Sequence, residues 1–304
     1  MRARVVPVLW VSYLVACLLL LDVLGSPAYP IVVVVAGLAL AVVTARLEPR
    51  VLVAWHPVAH DLGRVIGLYV VCVGLLYLAF QVFGMDNVAG LFFAFAGALL
   101  IGVGGPVLHV AIAQRRPLSA LGLTRDRLLE TVALGLLLAG VQVALTFPKL
   151  EFGPPDTWLP LLAMAIAVGF FEAMFFRCYV IAVVEPMFGI VPAVGASAGL
   201  YALYHVGYGM RPDEMVFLFG LGIVYVVAYA LVRNLLVIWP LLTPLGAFFV
   251  NVRSGDIEMP LIAVLGFVDV LGLMALAVFL VARWRRRHPV PASTPASIPP
   301  AATA

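Results

Sequence analysis

Charge is what this chain has least of. Only 11% of its 304 residues are Asp, Glu, Lys or Arg, against 64% hydrophobic residues, and the mean hydropathy is +1.15. A soluble domain carries roughly 25% charged residues, so an ordinary water-facing shell is excluded. Cysteine is scarce too, with 3 in all. Cys17, Cys72 and Cys178 each lie inside apolar runs, which fits small buried hydrophobes and excludes a disulfide framework or a thiolate metal cluster. The net charge of +3 is small and scattered, so nucleic-acid binding is not indicated. The alternating segments of about 10 residues that mark a β-barrel are also missing. What is present is a series of unbroken apolar runs. A bilayer span needs about 20 such residues, and only a helix satisfies its own backbone hydrogen bonds there. The sequence therefore predicts an all-α, polytopic transmembrane helical bundle.

Ten spans are expected, at 5–25, 30–45, 64–84, 88–113, 129–147, 158–184, 189–208, 214–232, 235–251 and 260–282. The ninth is interrupted by Pro240 and Pro244, which makes it a candidate for a kinked or re-entrant segment. Basic residues collect on one set of ends: Arg2, Arg4, Arg46, Arg50, Arg64, Arg115, Arg116, Arg125, Arg127, Arg233, Arg283, Arg285, Arg286 and Arg287. The opposite loops carry Lys149, Arg211 and Arg253. By the positive-inside bias both termini are cytoplasmic, in a cell inner (plasma) membrane. The basic start followed by a long apolar run lacks a small-residue cleavage site and reads as a retained anchor. Four regions are expected: an N-terminal four-span region (1–113), a cytoplasmic amphipathic linker (114–128), a six-span core (129–284) and a disordered tail (285–304) rich in Pro, Ala, Ser and Thr.

Ionisable groups at membrane depth are expensive, so each is a candidate for function. They are Asp22, His109, Glu172, Arg177, His205 and Asp269. Glu172 sits mid-span among aromatics, with Arg177 five residues on. On an α-helix five residues turn through about 140°, so the two are not expected to share a face unless both point into one cavity. A structural ion pair is the plainer alternative. In the next span, Gly195 and Gly199 form a small-residue face for close helix approach, and Tyr201 and His205, four apart, share a face. Asn251 closes the ninth span and offers an amide donor. His56 and His60 have a helical metal-ligand spacing, but Pro57 interrupts them and no acidic residue stands between, so no metal site is expected. Asp22 and Asp269 lack sequence-local partners and read as structural polar contacts.

These residues, in this order, resemble the CAAX-protease and bacteriocin-processing (CPBP, or Abi) family of glutamic-type intramembrane proteases. The family pattern is Glu-Glu-x-x-x-Arg, then Phe-x-x-x-His, then His-x-x-x-Asn on successive spans. Here the first reads Glu172-Ala173-Met-Phe-Phe-Arg177, the second Tyr201-Ala-Leu-Tyr204-His205, and the third keeps Asn251 with Ala247 in the histidine position. The likeness covers about 120–255. It implies an intramembrane endopeptidase acting on a membrane-associated protein or leader peptide, without a metal or other cofactor, in contact with the lipid bilayer. Glu172 would activate water with Arg177 orienting it, and His205 and Asn251 would stabilise the oxyanion. Tyr201, Tyr204 and Thr243 would line the substrate cavity, which would open outward. The composition is bacterial in character, so a prenylated substrate is not implied. With Ala173 and Ala247 replacing two family residues, a catalytically inactive membrane scaffold or immunity-type protein is the alternative. A small transporter using Asp22, Glu172 and Asp269 would call for an inverted repeat, which the sequence lacks.

Overall fold

The computed structural model describes residues 62–124, 154–236 and 259–287, with isolated helical positions between 8 and 43 and between 129 and 136. All regular structure among the described residues is helical. Among the described residues five helices are long and apolar enough to cross a membrane: Leu62–Phe83, Val88–Ala113, Pro155–Phe188, Ile190–Tyr208 and Leu261–Val281, with a shorter apolar stretch at Glu214–Ala230. We name the helices α1 (Leu62–Phe83), α2 (Val88–Ala113), α3 (Pro155–Phe188), α4 (Ile190–Tyr208), α5 (Pro212–Val232) and α6 (Val264–Arg287). They match six of the expected spans. The expected spans at 5–25, 30–45, 129–147 and 235–251 lie almost wholly outside the described residues. So do Asp22, His56, His60, Thr243, Ala247 and Asn251.

The strongest departure from expectation is the helix type. Among the described residues four stretches are π-helical: Leu78–Phe83 in α1, Ala96–Ile101 and His109–Ala113 in α2, and Ala173–Val180 in α3. A π-helix closes i→i+5 hydrogen bonds and commonly marks a functional site. Its wider turn frees carbonyl oxygens for partners outside the helix, and two neighbours supply donors. The Ser197 hydroxyl donates to the Phe176 carbonyl at 2.7 Å, and the Cys72 thiol donates to the Gly97 carbonyl at 3.2 Å. In lipid no water would serve those oxygens, so a side chain from the adjacent helix does.

α3 is the axis of the bundle. Its π segment is buried throughout, from Ala173 to Val180, and it touches α2, α4 and α5. A tight turn at Gly189, with φ +84°, folds α4 back against it; that conformation suits a residue without Cβ. α1 packs on α2 and covers the C-terminal end of α4, while α6 packs on α2. Two close approaches set the spacing. A Cβ on Gly102 of α2 would lie 2.2 Å from the Phe171 ring of α3, and one on Gly222 of α5 would lie 2.9 Å from Tyr201 of α4.

The latter contact corrects the expected seam. Gly195 has no heavy atom near its missing Cβ, and Gly199 only Phe219 at 4.0 Å. The packed face of α4 is instead Ala193, Ser197, Ala198 and Tyr201, all buried. The close-approach glycine is on α5, because the larger groups of α4 are those turned toward its neighbours. The linker expected over 114–128 contains, where it is described, a single 3-10 turn, Leu118–Leu121, with Ala120 and Leu121 buried. α6 continues to Arg287, three residues into the stretch expected to be disordered. Asp269 lies on the exposed face of α6.

Candidate active site

Glu172 is the last residue of the first α-helical part of α3, and the π segment begins immediately after it. That register answers the geometric problem posed by its spacing from Arg177. In an α-helix the two side chains would point about 140° apart; with i→i+5 bonding, residues five apart stack one above the other. Arg177 Nη2 stands 3.6 Å from Glu172 Oε2, and both side chains are almost fully buried. The same device recurs in α2. There Gln114 Nε2 lies 3.2 Å from Nε2 of His109, five residues before it.

An aromatic box encloses the pair. The Arg177 guanidinium lies 5.0 Å from the Tyr201 ring centre and 4.8 Å from that of Tyr225, a cation–π arrangement on two sides. Neither terminal nitrogen of Arg177 makes a hydrogen bond among the described residues. The Tyr204 hydroxyl donates a hydrogen bond to Glu172 Oε1. Phe176 packs its ring 4.9 Å from Tyr204 and 5.8 Å from Tyr201. His205 is buried beside them, its ring 4.1 Å from Tyr204, 5.2 Å from Tyr201 and 5.5 Å from Tyr208. α1 closes the box: Phe80 meets Tyr208 at 4.4 Å, and Tyr69 meets Phe176 at 6.4 Å.

His205 Nδ1 lies 2.9 Å from the Tyr201 carbonyl oxygen. A carbonyl only accepts, so Nδ1 carries the hydrogen, and a neutral ring then presents Nε2 as an acceptor. His205 also begins the 3-10 turn His205–Tyr208, which departs from the α-helical path just where the box is closed.

Glu172, Arg177, Tyr201, Tyr204 and His205 therefore come together in one buried cluster. His109 does not join it. Its Nδ1 is 2.6 Å from the Tyr179 hydroxyl, two residues beyond Arg177, in a separate polar contact between α2 and α3. Among the described residues no group of His, Cys, Asp or Glu could hold a metal ion. Sequence reasoning missed Tyr225 and Tyr208 in the box. The available signal for Tyr225 was a polar-tipped aromatic inside an aliphatic stretch, Val224-Tyr-Val-Val-Ala-Tyr229. It also missed Glu185 and Arg233, whose two carboxylate oxygens and two guanidinium nitrogens pair at 2.9 Å each, joining the ends of α3 and α5.

Residues 154–241 match the Rce1-like family, type II CAAX prenyl endopeptidase Rce1-like. The matched stretch runs from the start of α3 past the end of α5, and it contains every residue of the cluster contributed by α3, α4 and α5. It supports, at family level, an intramembrane endopeptidase of the CAAX-protease type, in agreement with the resemblance read from the first two motifs; the third, with Ala247 and Asn251, lies beyond the matched stretch. Together with the apolar helices it supports a multi-pass membrane protein. Comparison with curated proteins and with solved structures gives no significant match.

Proposed function

We propose that this chain is a glutamic-type intramembrane protease that hydrolyses a peptide bond of a membrane-anchored protein or leader peptide. The observation that carries the reading is Glu172, 3% exposed in the middle of a 34-residue helix, with Arg177 and His205 brought into the same box. A desolvated carboxylate is a strong base for water once a substrate displaces the competing solvent. Glu172 takes a proton from water as the hydroxide adds to the scissile carbonyl, then returns it to the departing amine. Arg177 holds the carboxylate. Neutral His205, with its hydrogen committed through Nδ1 to the Tyr201 carbonyl, offers Nε2 as an acceptor that aims the attacking water. The oxyanion-donor role expected of it therefore passes to Asn251, with Tyr201 and Thr243 against the substrate. No metal or organic cofactor enters these steps.

Depth follows from helix rise. Glu172 and Tyr204 are 17 and 15 residues from the Gly189 turn, roughly 22–25 Å along their helices. In a hydrocarbon core of about 30 Å the cluster lies nearer the face that carries Arg211. The charge bias makes that the outer face of an inner (plasma) membrane, with ten spans, cytoplasmic termini and a site that opens outward, as processing of an exported or surface-anchored substrate would need. The reading keeps the 129–284 core and the 1–113 region as its two main parts, with α1 of the latter closing the box.

Ala173 and Ala247 favour a second reading, a catalytically inactive family member acting as a scaffold or immunity-type protein. Cleavage of a membrane-anchored reporter separates the two. Glu172→Ala and His205→Ala should each abolish a cleavage that the unaltered chain performs, while both variants remain inserted. Cleavage that persists in either variant defeats the mechanism.

A further inference from the structure

Tyr204 touches the acid, and its surroundings explain why it can do little else. It is 1% exposed and held by the rings of Phe171, Phe176, Tyr201, His205 and Tyr208. Its single hydroxyl hydrogen is committed to Glu172 Oε1. A phenol has one donor, so it cannot give the same hydrogen to a substrate oxygen. We propose that Tyr204 is a positioning residue for Glu172 and not a substrate contact. This inference rests on the proteolytic reading above.

The physical argument concerns the plane of the carboxylate. The last torsion of a glutamate is broad and roughly two-fold, so an unclamped carboxylate sweeps its lone pairs through a wide arc. Tyr204 holds Oε1 from α4, and Arg177 stands 3.6 Å from Oε2 within α3. The hydrogen bond from Tyr204 is the directional contact that fixes that torsion, and the Arg177 charge attracts the other oxygen without a hydrogen bond. An ionised carboxylate has about four acceptor positions, so the clamp leaves lone pairs for the attacking water. The clamp also depends on assembly. Arg177 reaches Glu172 through the π register, whereas Tyr204 reaches it only because α4 packs along that same face of α3. The base is therefore correctly aimed only when α3 and α4 are docked. The Tyr204 hydroxyl keeps its proton throughout, so no proton transfer is assigned to it.

The test uses the full-length chain, purified in detergent and supplied with a membrane-anchored reporter. Tyr204→Phe preserves the ring and removes only the hydroxyl. The expected result is a fall in kcat of about 10²-fold, the size associated with misplacing a reacting group, with KM unchanged and the thermal midpoint close to that of the unaltered chain. An unchanged kcat overturns the proposal. So does a raised KM at constant kcat, which would make Tyr204 a substrate contact, and so does a loss of activity that tracks a loss of folded protein. A second measurement needs no turnover. The infrared difference between the chain and its Glu172→Gln variant isolates the Glu172 carboxylate stretch, and the same difference taken in the Tyr204→Phe background should show that band displaced. An undisplaced band overturns the inference. A displaced band in a chain that cleaves no reporter supports the clamp and counts against the protease reading.

Discussion

α3 carries two buried acidic residues, Glu172 and Glu185, and each stands near an arginine, but the two pairs are built differently. Glu185 meets Arg233 of the loop after α5 in a two-pronged contact, with both nitrogen–oxygen distances at 2.9 Å. Arg233 also donates through Nε to the Ala230 carbonyl, so each of its three guanidinium nitrogens is engaged. Glu172 meets Arg177 at 3.6 Å, beyond hydrogen-bond range, and the guanidinium is held mainly by the faces of Tyr201 and Tyr225. A pair whose task is to join two helices uses its donors fully, since each unmet buried charge costs free energy. A pair that serves a reaction keeps donors in reserve for charge that develops later. Under the proposed function the looser geometry goes with the reacting pair and the tighter one with the helix-joining pair.

Exchanging both acids for their amides gives the sharpest break of this comparison. Glu172→Gln should cut reporter cleavage by about 10³-fold or more, within the range for loss of a general base, at a nearly unchanged thermal midpoint. Glu185→Gln should do the reverse: a loss of about 2 kcal/mol in stability, as for a hydrogen bond to a charged group, with kcat per folded molecule intact. Rate assays and melting curves on both variants check the pair, and interchanged outcomes would undo the assignment. Ser197→Ala should have a smaller effect on both. It removes the donor that serves the Phe176 carbonyl, costs about 1 kcal/mol, and loosens the π register that aligns Arg177, so kcat should fall several-fold in the same assays. Stability loss with no change in rate would show that the π register does not depend on Ser197. The smallest expected effect is that of Tyr225→Leu. It strips one aromatic face from Arg177 while Tyr201 retains the other, a loss of about 0.5–1 kcal/mol, measurable as a slight fall in midpoint.

The membrane architecture was legible because it rests on composition and run length, which need no partner. The six apolar runs from 64–84, 88–113, 158–184, 189–208, 214–232 and 260–282 appear as α1 to α6 within a few residues at most ends. Glu172, Arg177 and His205 were legible because polar side chains in lipid need a reason to be there. The seam residue was not. Gly195 and Gly199 looked like the contact face, yet Gly222 on α5 lets the helices close; which face of a span turns inward is set by the neighbour it packs against. Tyr225 was missed for the same reason, since nothing local links it to Arg177, 48 positions earlier.

The sequence by itself determined that this is a multi-pass helical membrane protein and which few polar groups its interior would have to accommodate, because the cost of transferring each side chain into lipid is a local property. Only the tertiary structure decided that Glu172 and Arg177 stand together, that Tyr204 holds the free end of the acid, and that Glu185 serves the scaffold. The first depends on whether a carbonyl bonds four or five residues ahead, and the other two depend on which helices pack against α3.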